Sequence, residues 1–144
     1  MSSVKTDAIK TFIKEVNLDI KEYQSLLKVM RAQHVLMTNR DSQRLEKAAK
    51  QHQQVLNWVN ERAKQRTELL ITIGVTPDAK GVERLINALP DTIATPLRTN
   101  WNKLHKVVLE CQAQNERNSS LLSMQHGILS ELTQTREPQI YAPE

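Results

Sequence analysis

Four histidines, one cysteine and sixteen carboxylates are the side chains of this 144-residue chain that could hold a metal or move a proton. A metal site in a helical protein needs pairs on one face, such as His-x-x-x-His, Glu-x-x-His or Cys-x-x-Cys. His34, His52, His105 and His126 stand apart from one another and Cys111 is single, so no such pair exists. Gly74, Gly81 and Gly127 are also single, which leaves no phosphate-binding loop. Glu15 and Asp19 are neighbours on a helix surface with no evident pocket to tune them. The expectation is a protein that is not an enzyme, with no cofactor, metal or small-molecule substrate. His34 and His52 fall on apolar seams and are expected as core histidines, with Cys111 as a small hydrophobe.

The remaining chemistry is that of amides. Residues 115–122 are NERNSSLL, in which Asn115 and Asn118 interrupt an otherwise apolar spacing. Asparagine is unfavourable inside a helix because its amide competes for backbone hydrogen bonds. Buried without partners, each amide would cost on the order of 1–3 kcal/mol. Two roles are open: the amides fix register, as a seam asparagine does in a coiled coil, or they face a cleft and are satisfied by water or a partner backbone.

The elements that must position these groups are helices. Only five aromatics, three glycines and five prolines occur, with abundant Gln, Leu, Lys and Glu. Ile9, Ile13, Val16, Ile20, Tyr23, Leu27, Met30, His34 and Met37 keep a 3-4 spacing, predicting a first long helix over 4–37 with Ser3 or Thr6 as cap. Asn39 or Asp41 caps a second over 41–73, which carries Leu45, Ala48, His52, Val55 and Val59 and stops at Gly74. Thr76-Pro77 starts a short helix over 77–89, and Thr95-Pro96 a third long one over 96–133. Its seam is taken as Leu97, Trp101, Leu104, Val108, Cys111, Asn115, Asn118, Leu122, Gln125, Leu129 and Leu132. The expected fold is all-α, an elongated antiparallel bundle of three long helices with a short linker helix between the second and third. The whole forms one helical domain, with residues 134–144 as a tail.

The longest apolar run, 69–75, is far short of the roughly 20 residues of a membrane helix. The first residues lack the apolar core of a signal peptide. A single cysteine suits a reducing compartment, so a cytoplasmic location is expected. The net charge is +4, but basic and acidic residues interleave, as in Glu46-Lys47 and Glu61-Arg62. That pattern argues against nucleic acid as a partner, which would call for clustered cations with aromatics between them.

Function is then sought in surplus apolar surface. Leu121, Met124 and Ile128 form a second stripe beside Leu122, Leu129 and Leu132, and Leu26, Val29 and Leu36 do the same on the first helix. Up-down-up packing places both stripes at one end of the rod. They form either a broader core, a groove for an amphipathic helix of a partner, or a face for a weak homodimer. Methionine suits adaptable binding.

Asn115, Asn118, Leu121 and Leu122, followed by Glu137-Pro138-x-x-Tyr141, resemble the FlgN-type flagellar export chaperones, as does the helical layout across nearly the whole chain. The resemblance implies a cytoplasmic chaperone of type III flagellar export. It would hold a disordered terminal segment of hook-associated (junction) proteins, prevent premature association and escort them to the membrane export gate. Client binding would map onto Asn115, Asn118, Leu121, Leu122, Met124, Gln125, Ile128, Leu129 and Leu132, and gate docking onto Tyr141. The chain departs from the family pattern at Ser119, where glycine is frequent, and around Tyr141, where a glycine-containing run is replaced by Tyr141-Ala142-Pro143-Glu144. Its basic pI is unlike many export chaperones. The alternatives are a structural, self-associating coiled-coil protein and a basic helical nucleic-acid binder.

Overall fold

The computed structural model describes residues 2–133, with side chains described for 3–125. These residues form four helices: α1 Ser2–Thr38, α2 Ser42–Ile73, α3 Ala79–Ala88 and α4 Asp91–Thr133. The chain is all-α among the described residues. It is not a closed three-helix bundle: α2 and α4 each pack along α1, while their backbones hardly meet each other.

Local chemistry explains each break. Asp41 caps α2, its carboxylate accepting from Arg44 N at 3.2 Å, and the preceding Arg40 takes a left-handed φ of 55°. Gly74 ends α2 with φ 100°, and its N–H returns to the carbonyls of Leu70 and Ile71. Asp41→Ala is expected to lower stability by about 1 kcal/mol, measured by thermal unfolding.

Three starts differ from the sequence expectation, the first because Ser3 and Thr6, expected as caps, both lie inside α1. Asp78, not Thr76, caps α3: its side chain accepts from Gly81 N at 2.8 Å and from Thr76 Oγ1 at 2.7 Å. The Gly81 N–H and the Thr76 hydroxyl hold the Asp78 carboxyl below its usual range. A β-carbon at Gly81 would collide with the Thr76 carbonyl oxygen, which is why the turn can close only over glycine. Similarly, α4 begins more than a turn before Thr95-Pro96, because the Pro90 carbonyl accepts from Ile93 N and Ala94 N at 2.9 and 2.8 Å. Pro96 then lies inside the helix on an exposed face, where the exposed Thr92 carbonyl that loses its donor faces solvent.

The core is uneven along the rod. At the end capped by α3, Phe12, Val16, Val82, Ile86 and Leu97 are all but fully buried, with the Phe12 and Trp101 rings 6.0 Å apart. Toward the α1–α2 turn the core thins to Met30, Met37 and Ala48, and the buried residues of α4 become the amides Gln114 and Asn118. Between these ends lies a charged pair of clasps linking α1 to α2. Arg62 Nη1 donates to Glu15 at 3.2 Å, and Arg66 Nη1 donates to Asp19, a carboxylate only 1% exposed. Desolvation raises the Asp19 pKa above the usual carboxylate range, in spite of the opposing Arg66 charge.

Candidate functional site

Because α2 and α4 stay apart, α1 is the floor of a long cleft between them. Tyr23, Leu26 and Met30 line the floor, His52, Leu56, Val59 and Asn60 one wall, and Val108, Cys111, Gln112 and Asn115 the other, around a cavity of ≈ 310 Å³. A smaller hollow of ≈ 230 Å³, lined by Met37, Arg40, Ser42, Leu45 and Gln125, continues the cleft at the α1–α2 turn. Helical spacing carries the wall from Val108, Gln112 and Asn115 on to Ser119 and Leu122, the last being 41% exposed.

The titratable groups here are held neutral. Desolvation lowers the His52 pKa, which favours the uncharged imidazole in the cleft wall. Burial pushes the Cys111 thiol up to about 11, so it stays protonated and acts as a small apolar group with a weak donor aimed at the Tyr23 carbonyl, 3.3 Å away. Such a surface suits apolar contact edged by amides rather than proton transfer.

The two asparagines separate. Asn118 is 9% exposed, its Nδ2 donates to Met30 O at 2.9 Å, and its Oδ1 accepts from Gln114 Nε2 at 3.0 Å. His34 Nδ1 also stands 3.0 Å from that Oδ1, a hydrogen bond made when Nδ1 carries the proton. Asn115 is exposed on the cleft wall instead. The seam reading through Val108, Asn115 and Leu122 is thereby corrected: the buried residues of α4 are Leu97, Leu104, Val107, Cys111, Gln114 and Asn118, with half-buried Leu121 and Gln125 continuing the spacing.

Both readings share Leu104, Cys111, Asn118 and Gln125, and an apolar residue stands at each of 107, 108, 121 and 122. The pattern was therefore degenerate, and Gln114 was missed as the partner of Asn118. Leu26, expected in the surplus stripe, is core at 5% exposure.

A second amide repeats the bond one heptad on: Gln125 Nε2 donates to Met37 O at 2.8 Å. Cys111 to Tyr23, Asn118 to Met30 and Gln125 to Met37 thus form a ladder with constant offset, so α1 and α4 run parallel in fixed register. Of the other candidate residues, Met124 is 61% exposed on the face away from the cleft. Ile128, Leu129 and Leu132 lie on α4 beyond the described side chains, and Tyr141 lies outside the described residues. Among the described residues, no helix is long and apolar enough to cross a membrane.

Comparison with known proteins agrees with this architecture. A crystal structure assigned to a flagella synthesis protein FlgN from Pseudomonas aeruginosa matches with a TM-score of 0.70 at 21% identity, covering 78% of this chain and 86% of that one. No curated protein matches the chain. The model of the FlgN protein family matches residues 1–143. The chain belongs to the FlgN family, a family of flagellar chaperones.

Proposed function

We propose that the chain is a flagellar export chaperone in the cytoplasm. It holds the terminal segment of a hook-associated protein as an amphipathic helix in the cleft between α2 and α4, and delivers it to the export gate. The observation that carries this reading is the cleft itself: two helices lie on α1 with an apolar, amide-edged space between them where a fourth helix would complete a bundle. Asn115 and Leu122 border the client's path, and helical spacing continues it to Leu129, while Ile128 and Leu132 fall in the spacing of the α1 seam. Asn118, Leu121 and Gln125 hold α4 in place, with Tyr141 kept for gate docking and no enzymatic step required.

Titration with the C-terminal segment of a hook-associated protein tests the proposal, and absence of binding at micromolar concentration would sink it. Leu129→Ala is expected to weaken client binding by about 1–2 kcal/mol, whereas Ile13→Ala, at the opposite end of α1, leaves it unchanged at matched folding. Equal effects would move the client elsewhere. Trp58 at 60% and Leu109 at 50% exposure favour self-association as the second reading. Sedimentation equilibrium decides it, since a monomer at high concentration removes the homodimer.

A further inference from the structure

On the other side of the α1–α4 seam from the cleft runs a furrow of ≈ 500 Å³, lined by Gln24, Leu27, Lys28 and Arg31 of α1 and by Lys103, Lys106, Val107 and Glu110 of α4. Cations that look scattered along the sequence are brought together here from two helices. Arg31 makes a long, exposed ion pair with Glu110 at 3.8 Å, while Lys28, Lys103 and Lys106 have no ion-pair partner among the described residues. Leu27 and Val107 are buried beneath them and form the bottom of the furrow. On helical spacing the two faces continue to Val35, 57% exposed, and to Arg117 and Met124, which puts exposed apolar side chains beyond the cations.

We propose that this furrow is a second docking surface, distinct from the client cleft, for an acidic amphipathic segment of a protein partner. Its carboxylates would pair with Lys28, Arg31, Lys103 and Lys106, and its apolar side chains would lie against Val35 and Met124. Charge complementarity selects an acidic partner. The chemistry separates a peptide from nucleic acid, because no aromatic side chain lines the furrow to stack a base and Glu110 interrupts the cations. Exposed apolar groups at its end instead suit a protein segment with an apolar stripe.

The test uses the full chain and a fluorescein-labelled model helix of about 20 residues with glutamates flanking a leucine stripe, alongside the same helix with lysine in place of glutamate. The acidic helix is expected to bind, with affinity falling as salt rises from roughly 50 to 300 mM, and the lysine helix is not. Lys103→Glu/Lys106→Glu is expected to weaken the acidic helix about tenfold while the helical circular dichroism is unchanged, since both side chains are exposed. Equal binding of the two helices, or binding indifferent to the charge reversal, would overturn the proposal. So would tighter binding of a single-stranded oligonucleotide or of phosphatidylserine vesicles than of the acidic helix. Leu129→Ala is expected to leave this binding intact, so failure of the furrow and failure of the client cleft are separately visible.

Discussion

Replacing Arg66 with methionine is expected to destabilise the fold by about 3–5 kcal/mol, because it strands the Asp19 carboxylate in a site almost closed to water. Burial already raises the Asp19 pKa with the arginine present, and the Asp19 Oδ1 atom has no hydrogen-bond partner. In the variant the larger attraction opposing this rise is gone and only that of Arg62 remains, so the folded-state pKa climbs further. A carboxyl with a raised folded pKa binds its proton more tightly in the fold than in the unfolded chain. Its contribution is therefore lost as pH rises from the ordinary carboxylate range through the raised value. Urea unfolding of Arg66→Met should accordingly show a deficit at neutral pH that shrinks on acidification. Asp19→Leu/Arg66→Met, which removes both charges, is expected to recover most of the loss. A deficit that is small, or independent of pH, would mean that water reaches the carboxylate. The clasp matters for function because it ties α2 to α1 next to Tyr23, the first residue of the cleft floor.

Much of this fold is legible from spacing and punctuation. The 3-4 repeat of α1, the Asp41 cap and the Gly74 stop are local signals, and they place the ends of α1 and α2 close to where they fall. What spacing cannot supply is rotation about a helix axis when neighbouring positions are both apolar. Val107 and Val108, then Leu121 and Leu122, offer two seams about 100° apart, and only packing against α1 selects the first. The same limit hid Gln114, and it hid the convergence of Lys28 with Lys103 and Lys106, which depends on α1 and α4 running parallel. Proline at 96 misled for a different reason: the Pro90 carbonyl starts the helix upstream, so a residue pair that usually marks a helix start falls inside one.

The amide network gives the question of Asn115 and Asn118 a measurable form. Asn118→Leu is expected to cost about 1–3 kcal/mol, although leucine is the more apolar residue, because buried Gln114 Nε2 loses its acceptor. Met30 O keeps its helical donor and half-buried His34 can reach water, so the penalty centres on Gln114. Gln114→Leu/Asn118→Leu removes both amides and is expected to restore or exceed the original stability, since no buried polar group is left stranded and exposed Arg117, which donates to Gln114 Oε1 at 3.0 Å, turns to solvent. A double variant as unstable as Asn118→Leu would show that the amides contribute more than mutual satisfaction.

The pair of variants also bears on client entry. With leucines at both positions, the α1–α4 seam stays apolar from Leu104 to Leu121, and parting these helices costs more than it does with the amides. If a client helix enters the cleft by shifting the end of α4, the double variant should associate with it more slowly in stopped-flow mixing while Asn115→Ala leaves the seam untouched. An unchanged association rate in the stabilised variant would mean that the client docks on α4 as it already stands, with the buried amides serving register alone.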